Sequence, residues 1–303
     1  MTGSGTFSLG TAQALQRALE EESDSVELQV SDSGGNPASV QLYNNGETDS
    51  YSTENFTLVG AQNGQEPFSE PQDVAPQGFN NLVFHYYWMA LDGSGIQTTQ
   101  DILEQDVNVW MFPAAWGSRL LQEVLYQNMG EWENIEEKIV NLPAGDLARA
   151  IGEGRVDAFF GQGASYAGIP GWATEIEARE DVHVVETSDE LISAVEDTPS
   201  IEPEEIEPYG WSQDVGADSV MAWNNGVQFC FGEDVPADAV YEMARVSHEH
   251  PDVLQNSMSQ YLDHSDPSSM NSFLLPDVPI HPGAAEFFRE QDIWDDSMTE
   301  ADL

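Results

Sequence analysis

Hydrophobic and polar positions follow two different periods along this chain. Ala14, Leu15, Ala18 and Leu19 recur at helical spacing and predict a helix from about Thr11. Residues 26–30 (Val-Glu-Leu-Gln-Val) alternate strictly and predict a strand. Ser31, Asp32, Ser33, Gly34, Gly35, Asn36 and Pro37 form a turn cluster opening a second helix, which carries Val40, Leu42 and Tyr43 and ends near Asn45 and Gly46. Helix and strand thus alternate over roughly the first 85 residues, a pattern that favours a parallel sheet. Residues 82–91 predict a long apolar-aromatic strand, 99–103 a short helix, 107–112 a strand and 119–128 a helix. Residues 147–154 predict a helix, and 156–160 a strand running into Gly161 and Gly163. Residues 200–207, acidic and proline-containing, read as a surface loop. Residues 219–223 and 227–231 read as two strands, followed by a helix with Pro236 in its first turn. A long apolar strand, a turn and a helix therefore occur twice, around 84–103 and 227–245. A chain that crosses between two lobes, once outward and once back, has this pattern.

Composition sharpens the picture. The 303 residues suffice for two ordinary domains, and 40% hydrophobic residues with 10% aromatic is a globular balance. Charge is extreme: 55 Asp and Glu against 8 Lys and Arg, a formal net charge of -47. The acids are spread along the whole chain among 8 Trp, 9 Tyr and 13 Phe. That distribution points to an acidic surface adapted to high salt rather than to a disordered tail. At ~1 M salt the Debye length falls to about 3 Å and the self-repulsion is screened. The same charge excludes a nucleic-acid partner, which needs a basic footprint. The single cysteine, Cys230, excludes an intrachain disulfide and lies in an apolar run as a small buried hydrophobe. No stretch approaches the ~18 apolar residues of a membrane span, and no signal peptide opens the chain.

Catalytic signatures are missing: no G-x-S-x-G elbow, P-loop or H-E-x-x-H occurs. His248 and His250 are two apart, and on a helix that spacing points their imidazoles away from each other, so no metal is expected there. No catalytic residue and no cofactor are assigned. What recurs is a small-residue turn before a helix, at Ser33 to Asn36, at Pro113 to Ser118, and at the opening Gly5 to Gly10. Backbone N–H groups at a helix start, helped by the dipole, favour an anion, and small residues let it approach. Arg119 beside the second of these turns is a candidate cation.

At this point the chain resembles the TAXI-type solute receptors of tripartite ATP-independent periplasmic (TRAP) transporters, in order and over nearly its whole length. Pro279-Ile280-His281-Pro282-Gly283-Ala284-Ala285-Glu286-Phe287-Phe288-Arg289-Glu290 resembles the family's closing P-[LI]-H-P-G-A-x-[RK]-[YF]-[YF]-[RK]-E. Gly5 to Gly10 resembles its opening G-T-Y-Y-P-x-G, Ser33 to Asn36 its S-x-G-S turn, and Gly46 to Asp49 its G-E-x-D. Pro113 to Ser118 falls at its P-G-S-G-T turn and Gly154 to Phe160 at G-x-[IV]-D-A-x-F. The resemblance implies an α/β, type II periplasmic-binding-protein fold, with two lobes joined by crossing hinge strands. Lobe 1 would comprise 1–85 and 228–303, and lobe 2 would comprise 86–227. It implies capture of a small carboxylate (a glutamate-like amino acid, dicarboxylate or keto acid) in the interlobe cleft and delivery to TRAP membrane subunits outside the cytoplasm. By position, Thr6, Phe7, Ser8, Ser33 and Gly34 would contact ligand from lobe 1, with Thr53 where many members have Gln. Gly117 and Ser118 would do so from lobe 2, with Gly161 and Gln162 at the cleft wall. Trp116 stands where Ser is usual, and would fill or stack in the pocket. The family's first strand, upstream of Gly5, an export signal and a lipid-anchoring cysteine are not in this sequence, so a longer gene product is expected. A ligand sensor in the cytoplasm and a thiamine-precursor enzyme are the alternative readings of the same fold.

Overall fold

The computed structural model describes residues 7–114 and 116–303. In chain order the elements are α1 (Phe7–Glu22), α2 (Asn36–Asn44), β1 (Ser50–Glu54), α3 (Asn55–Asn63), β2 (Gln77–Leu91), α4 (Thr99–Glu104) and β3 (Val109–Trp110). Next come α5 (Gly117–Asn128), α6 (Trp132–Glu136), α7 (Leu147–Gly152), β4 (Ala158–Ala164), α8 (Gly171–Glu177), β5 (Val182–Val184) and α9 (Asp189–Glu196). The chain closes with β6 (Ile201–Ile206), β7 (Val220–Phe231), α10 (Ala237–Glu249), α11 (Pro251–Ser257) and α12 (Pro282–Glu290). Contacts divide the chain into unit 1, Met1–Val83 with Asn225–Leu303, and unit 2, Phe84–Asn224. The chain passes between them within β2 and again within β7.

In unit 1, β1 pairs antiparallel with β7, placing Tyr51 opposite Cys230 and Ser52 opposite Phe229. Successive side chains alternate across the sheet. Cys230 and Tyr51 therefore face one core, with Val40 of α2 and Leu58 of α3. Phe229 and Phe231 face the other, with Leu15 and Leu19 of α1 and Phe287 and Phe288 of α12. The helical stripe expected of α1 is the face it buries: Thr11, Ala14, Leu15, Ala18 and Leu19. The closing motif has a packing role. His281 caps α12, its Nδ1 accepting from Gly283 N at 3.3 Å while Nε2–H donates to Val235 O at 3.1 Å. A Cβ at Gly283 would run into the backbone carbonyl of Ala237, so α10 and α12 meet backbone to backbone.

In unit 2, β2 pairs antiparallel with β4 and β5, and β3 runs parallel to β4. The expected parallel sheet is thus mostly antiparallel, because β2 and β7 run through both units and their neighbours return against them. Three further expectations change. Residues 219–223 and 227–231 are one strand, β7. Residues 200–207 contain a strand, β6, paired with β7; Ile201 and Ile206 are buried while Glu202 and Glu205 face solvent. Residues 26–30 are extended but belong to no strand of the described residues, although Val26, Leu28 and Val30 pack against the α1 core.

Candidate functional site

The turn before α2 is held together by its own side chains. Gly34 takes φ +88°, a conformation that favours glycine, and donates its N–H to Asp32 Oδ1 at 2.9 Å. Ser33 Oγ lies 2.7 Å from Ser39 Oγ and donates to Gly35 O at 3.0 Å, so the hydroxyl is spent inside the turn. α2 then starts at Asn36 and Pro37 without a side-chain cap. The first-turn N–H groups of a helix have no partner within it, and here no cap side chain supplies one.

Glu54 stands nearby, at the end of β1 and the cap position of α3. Its carboxyl is buried, accepts from Asn225 Nδ2 at 3.1 Å and is also bonded by the Asn36 side chain. Desolvation raises its pKa from 4.5 to about 7, outweighing the two amides, which pull it down. Asn225 in turn accepts from Phe56 N at 3.3 Å, tying Glu54 to the start of α3. Thr53, the expected contact, points elsewhere. It shares the face of Tyr51, opposite Gln228, and its buried hydroxyl has no hydrogen-bond partner. Period-two alternation from apolar Tyr51 was the available signal for preferring Glu54 to Thr53.

Ser8 is buried at the start of α1. Its carbonyl lies 3.0 Å from Thr11 Oγ1, which is also 2.8 Å from Asn81 Oδ1 on β2; Asn81 Nδ2 donates to Ser52 Oγ at 3.4 Å. Phe7 opens the helix, half-buried, and Thr6 lies outside the described residues. These residues, with Ser33 and Gly34, all belong to unit 1.

In unit 2 the start of α5 is likewise without a side-chain cap, with Trp116 at the cap position in an extended conformation. Ser118 Oγ lies 2.9 Å from Tyr86 Oη. Tyr86 is opposite Gln162 across the β2–β4 ladder, so the structure brings Ser118, Tyr86 and Gln162 together. Sequence reasoning missed Tyr86, one aromatic among many in β2. Gly161 has a packing role instead: a Cβ there would lie 2.9 Å from the Tyr87 ring and 3.0 Å from Met89 Cγ. Trp116 stacks on Phe112, which stacks on Phe160. Phe112 holds φ +63°, a strained value for a bulky residue, and it is nearly fully buried. Arg119 turns away from the helix start. Its Nε donates to Glu123 Oε1 at 2.7 Å and its Nη1 to Asn141 Oδ1 at 3.3 Å, with Phe112 O at 3.5 Å. The guanidinium is thus committed to its own unit, where the uncompensated acids of this chain readily claim it.

A second polar cluster in unit 2 has no counterpart in the sequence reading. Buried His85 lies 2.8 Å from Tyr209 Oη through Nδ1 and 3.2 Å from Glu204 Oε2 through Nε2. Tyr166 donates to Glu204 Oε1 at 2.5 Å and Asn224 to Oε2 at 3.3 Å. These donors, His85 first, hold the Glu204 carboxyl down at about 2.

No curated protein sequence matches this chain. Among solved structures, MatC from Rhodopseudomonas palustris with bound malate is similar at 11% identity, covering 98% of this chain and 95% of that one, with a TM-score of 0.54. The periplasmic aliphatic sulphonate-binding protein SsuA of Escherichia coli gives 13% identity over 94% and 88%, with a TM-score of 0.46. The fold argument rests on the first of these, and the fold is the α/β fold of periplasmic binding proteins. The NMT1-like family profile matches residues 2–291, and the chain therefore belongs to the NMT1-like family.

Proposed function

We propose that this protein is an extracytoplasmic solute-binding protein of a TAXI-type TRAP transporter, which captures a small carboxylate and passes it to membrane subunits at the outer face of the membrane. The observation that carries the reading is a device repeated in the two units: α2 and α5 each start without a side-chain cap after a turn of the kind that the family resemblance associates with ligand. An anion there would receive backbone N–H groups and the positive end of the helix dipole. A chain of charge -47 needs such local donors to hold an anion at all. Malate in the MatC structure belongs to the class of ligand proposed. In unit 2, Ser118 and Tyr86 supply hydroxyls and Trp116 an apolar wall. In unit 1, Gly34 gives access to the α2 start, and Glu54, neutral below about pH 7, supplies a carboxyl O–H donor. The acidic surface suits work in concentrated salt.

A thermal-shift screen in multimolar KCl against amino acids and small dicarboxylates tests this. A ligand at ~100 times its Kd stabilises by about 2.7 kcal/mol. One carboxylate should raise Tm, and Ser118→Ala and Gly34→Asp should each shrink the shift. If no carboxylate moves Tm in a folded sample, or if both variants keep the full shift, the reading fails.

A further inference from the structure

Between the extended residues 26–31 and the strand β1, unit 1 encloses a slot of about 660 Å³. One wall is the backbone of Leu28, Gln29 and Val30; the other is Ser50, Tyr51 and Ser52; the floor holds Ala12, Leu15 and Phe229. Both walls have strand character without a strand neighbour in the slot. Among the described residues β1 pairs only with β7, and residues 26–31 make no backbone hydrogen bond. Yet 26–30 keep a strand's alternation, with Val26, Leu28 and Val30 half-buried and Glu27 and Gln29 exposed.

We infer that this slot is a strand-acceptor site, filled by an extended apolar segment of the same polypeptide that runs into α1 from ahead of Phe7. Two facing rows of backbone N–H and C=O groups call for a third row between them, and a strand supplies partners to both. The floor is apolar, so the inserted strand carries apolar side chains on that face. The mouth is ringed by Glu27, Glu47, Asp49 and Asp234, which disfavours an acidic occupant. Connectivity selects the source. A strand in the slot that continued into α1, followed by 26–31 beside it, makes a β-α-β unit in which α1 covers its own strand, the common right-handed crossover. The inference is independent of the ligand reading above.

The test adds a strand-length extension of about six residues, alternating Ile and Thr, ahead of Met1. A Gly-Ser extension of equal length is the control, and hydrogen exchange is followed in multimolar KCl. The Ile-Thr extension should slow exchange about tenfold or more in both 26–31 and 50–54, and raise Tm, relative to the control. Leu28→Asp, on a half-exposed wall position, should abolish both gains. Equal exchange in the two extended proteins, or protection of one wall alone, overturns the inference. So does full protection by the free Ile-Thr peptide when the fused one gives none, since that assigns the slot to a separate chain.

Discussion

Glu54 is a buried carboxyl whose environment works against its charge. Its folded pKa, about 7, lies above the ordinary 4.5, so the folded state holds its proton more tightly than the unfolded chain does. Its contribution is therefore greatest below pH 4.5 and is lost as pH rises to about 7, a change on the order of 3 kcal/mol. His264 opposes it. Fully buried and bonded to Asn80 O, it is pushed down to about 3, so its penalty grows as pH falls below 6.5. The whole-protein profile mixes the two, and a difference measurement separates them. Glu54→Gln keeps the shape and removes the titration. The stability of the wild type relative to Glu54→Gln should fall between pH 4.5 and 7 and be flat above, read by urea unfolding in constant salt. A difference independent of pH would show that the carboxyl is not held protonated.

At the scale of elements, helices were legible where their signals were local. The α1 stripe, the Thr98–Asp101 cap of α4 and Pro282 at the start of α12 all lie within four residues of what they control. Strands were legible as apolar runs, but their partners were not. Residues 26–30 and 201–206 show why: the first has strand alternation and no strand neighbour, while the second reads as a loop and pairs with β7. Sheet membership depends on which other segment arrives, not on the segment alone. β4 illustrates the consequence for substitution. Gly161 sits opposite Tyr87 with its ring already in van der Waals reach. Gly161→Ala should cost about 1–3 kcal/mol by overpacking, measured by denaturant unfolding. The loss should be largely relieved by Tyr87→Leu in the same chain; additivity of the two changes would exclude that contact as the cause.

For the whole molecule, charge dominates. Every one of the seven arginines is in an ion pair, and most of these are exposed pairs of neighbours on one helix, such as Arg17–Glu21 and Arg179–Glu175, which are worth little. Lys138, the single lysine, is used to cap α4, donating to Ile102 O, Leu103 O and Gln105 O at 2.7–2.8 Å. The remaining acids have only salt to screen them. Tm should climb steeply from 0.1 M to about 2 M KCl as the Debye length contracts from about 10 Å to under 3 Å. Sucrose at equal osmolality should not reproduce the rise; if it does, exclusion from the surface rather than screening is responsible.

The sequence by itself determined the acidic character, the helices with their caps, and the turns before α2 and α5. Each depends on composition or on residues a few positions apart, so each can be read along the chain. Only the tertiary structure decided that Glu54 rather than Thr53 meets Asn36 and Asn225, that Tyr86 meets Ser118, and that His85 meets Glu204 and Tyr209. It also decided that residues 26–31 border a slot instead of a neighbouring strand. Asn225 is 171 residues from Glu54, and desolvation has no signature in a local window. It comes from whatever distant chain folds over the group, which also sets its charge.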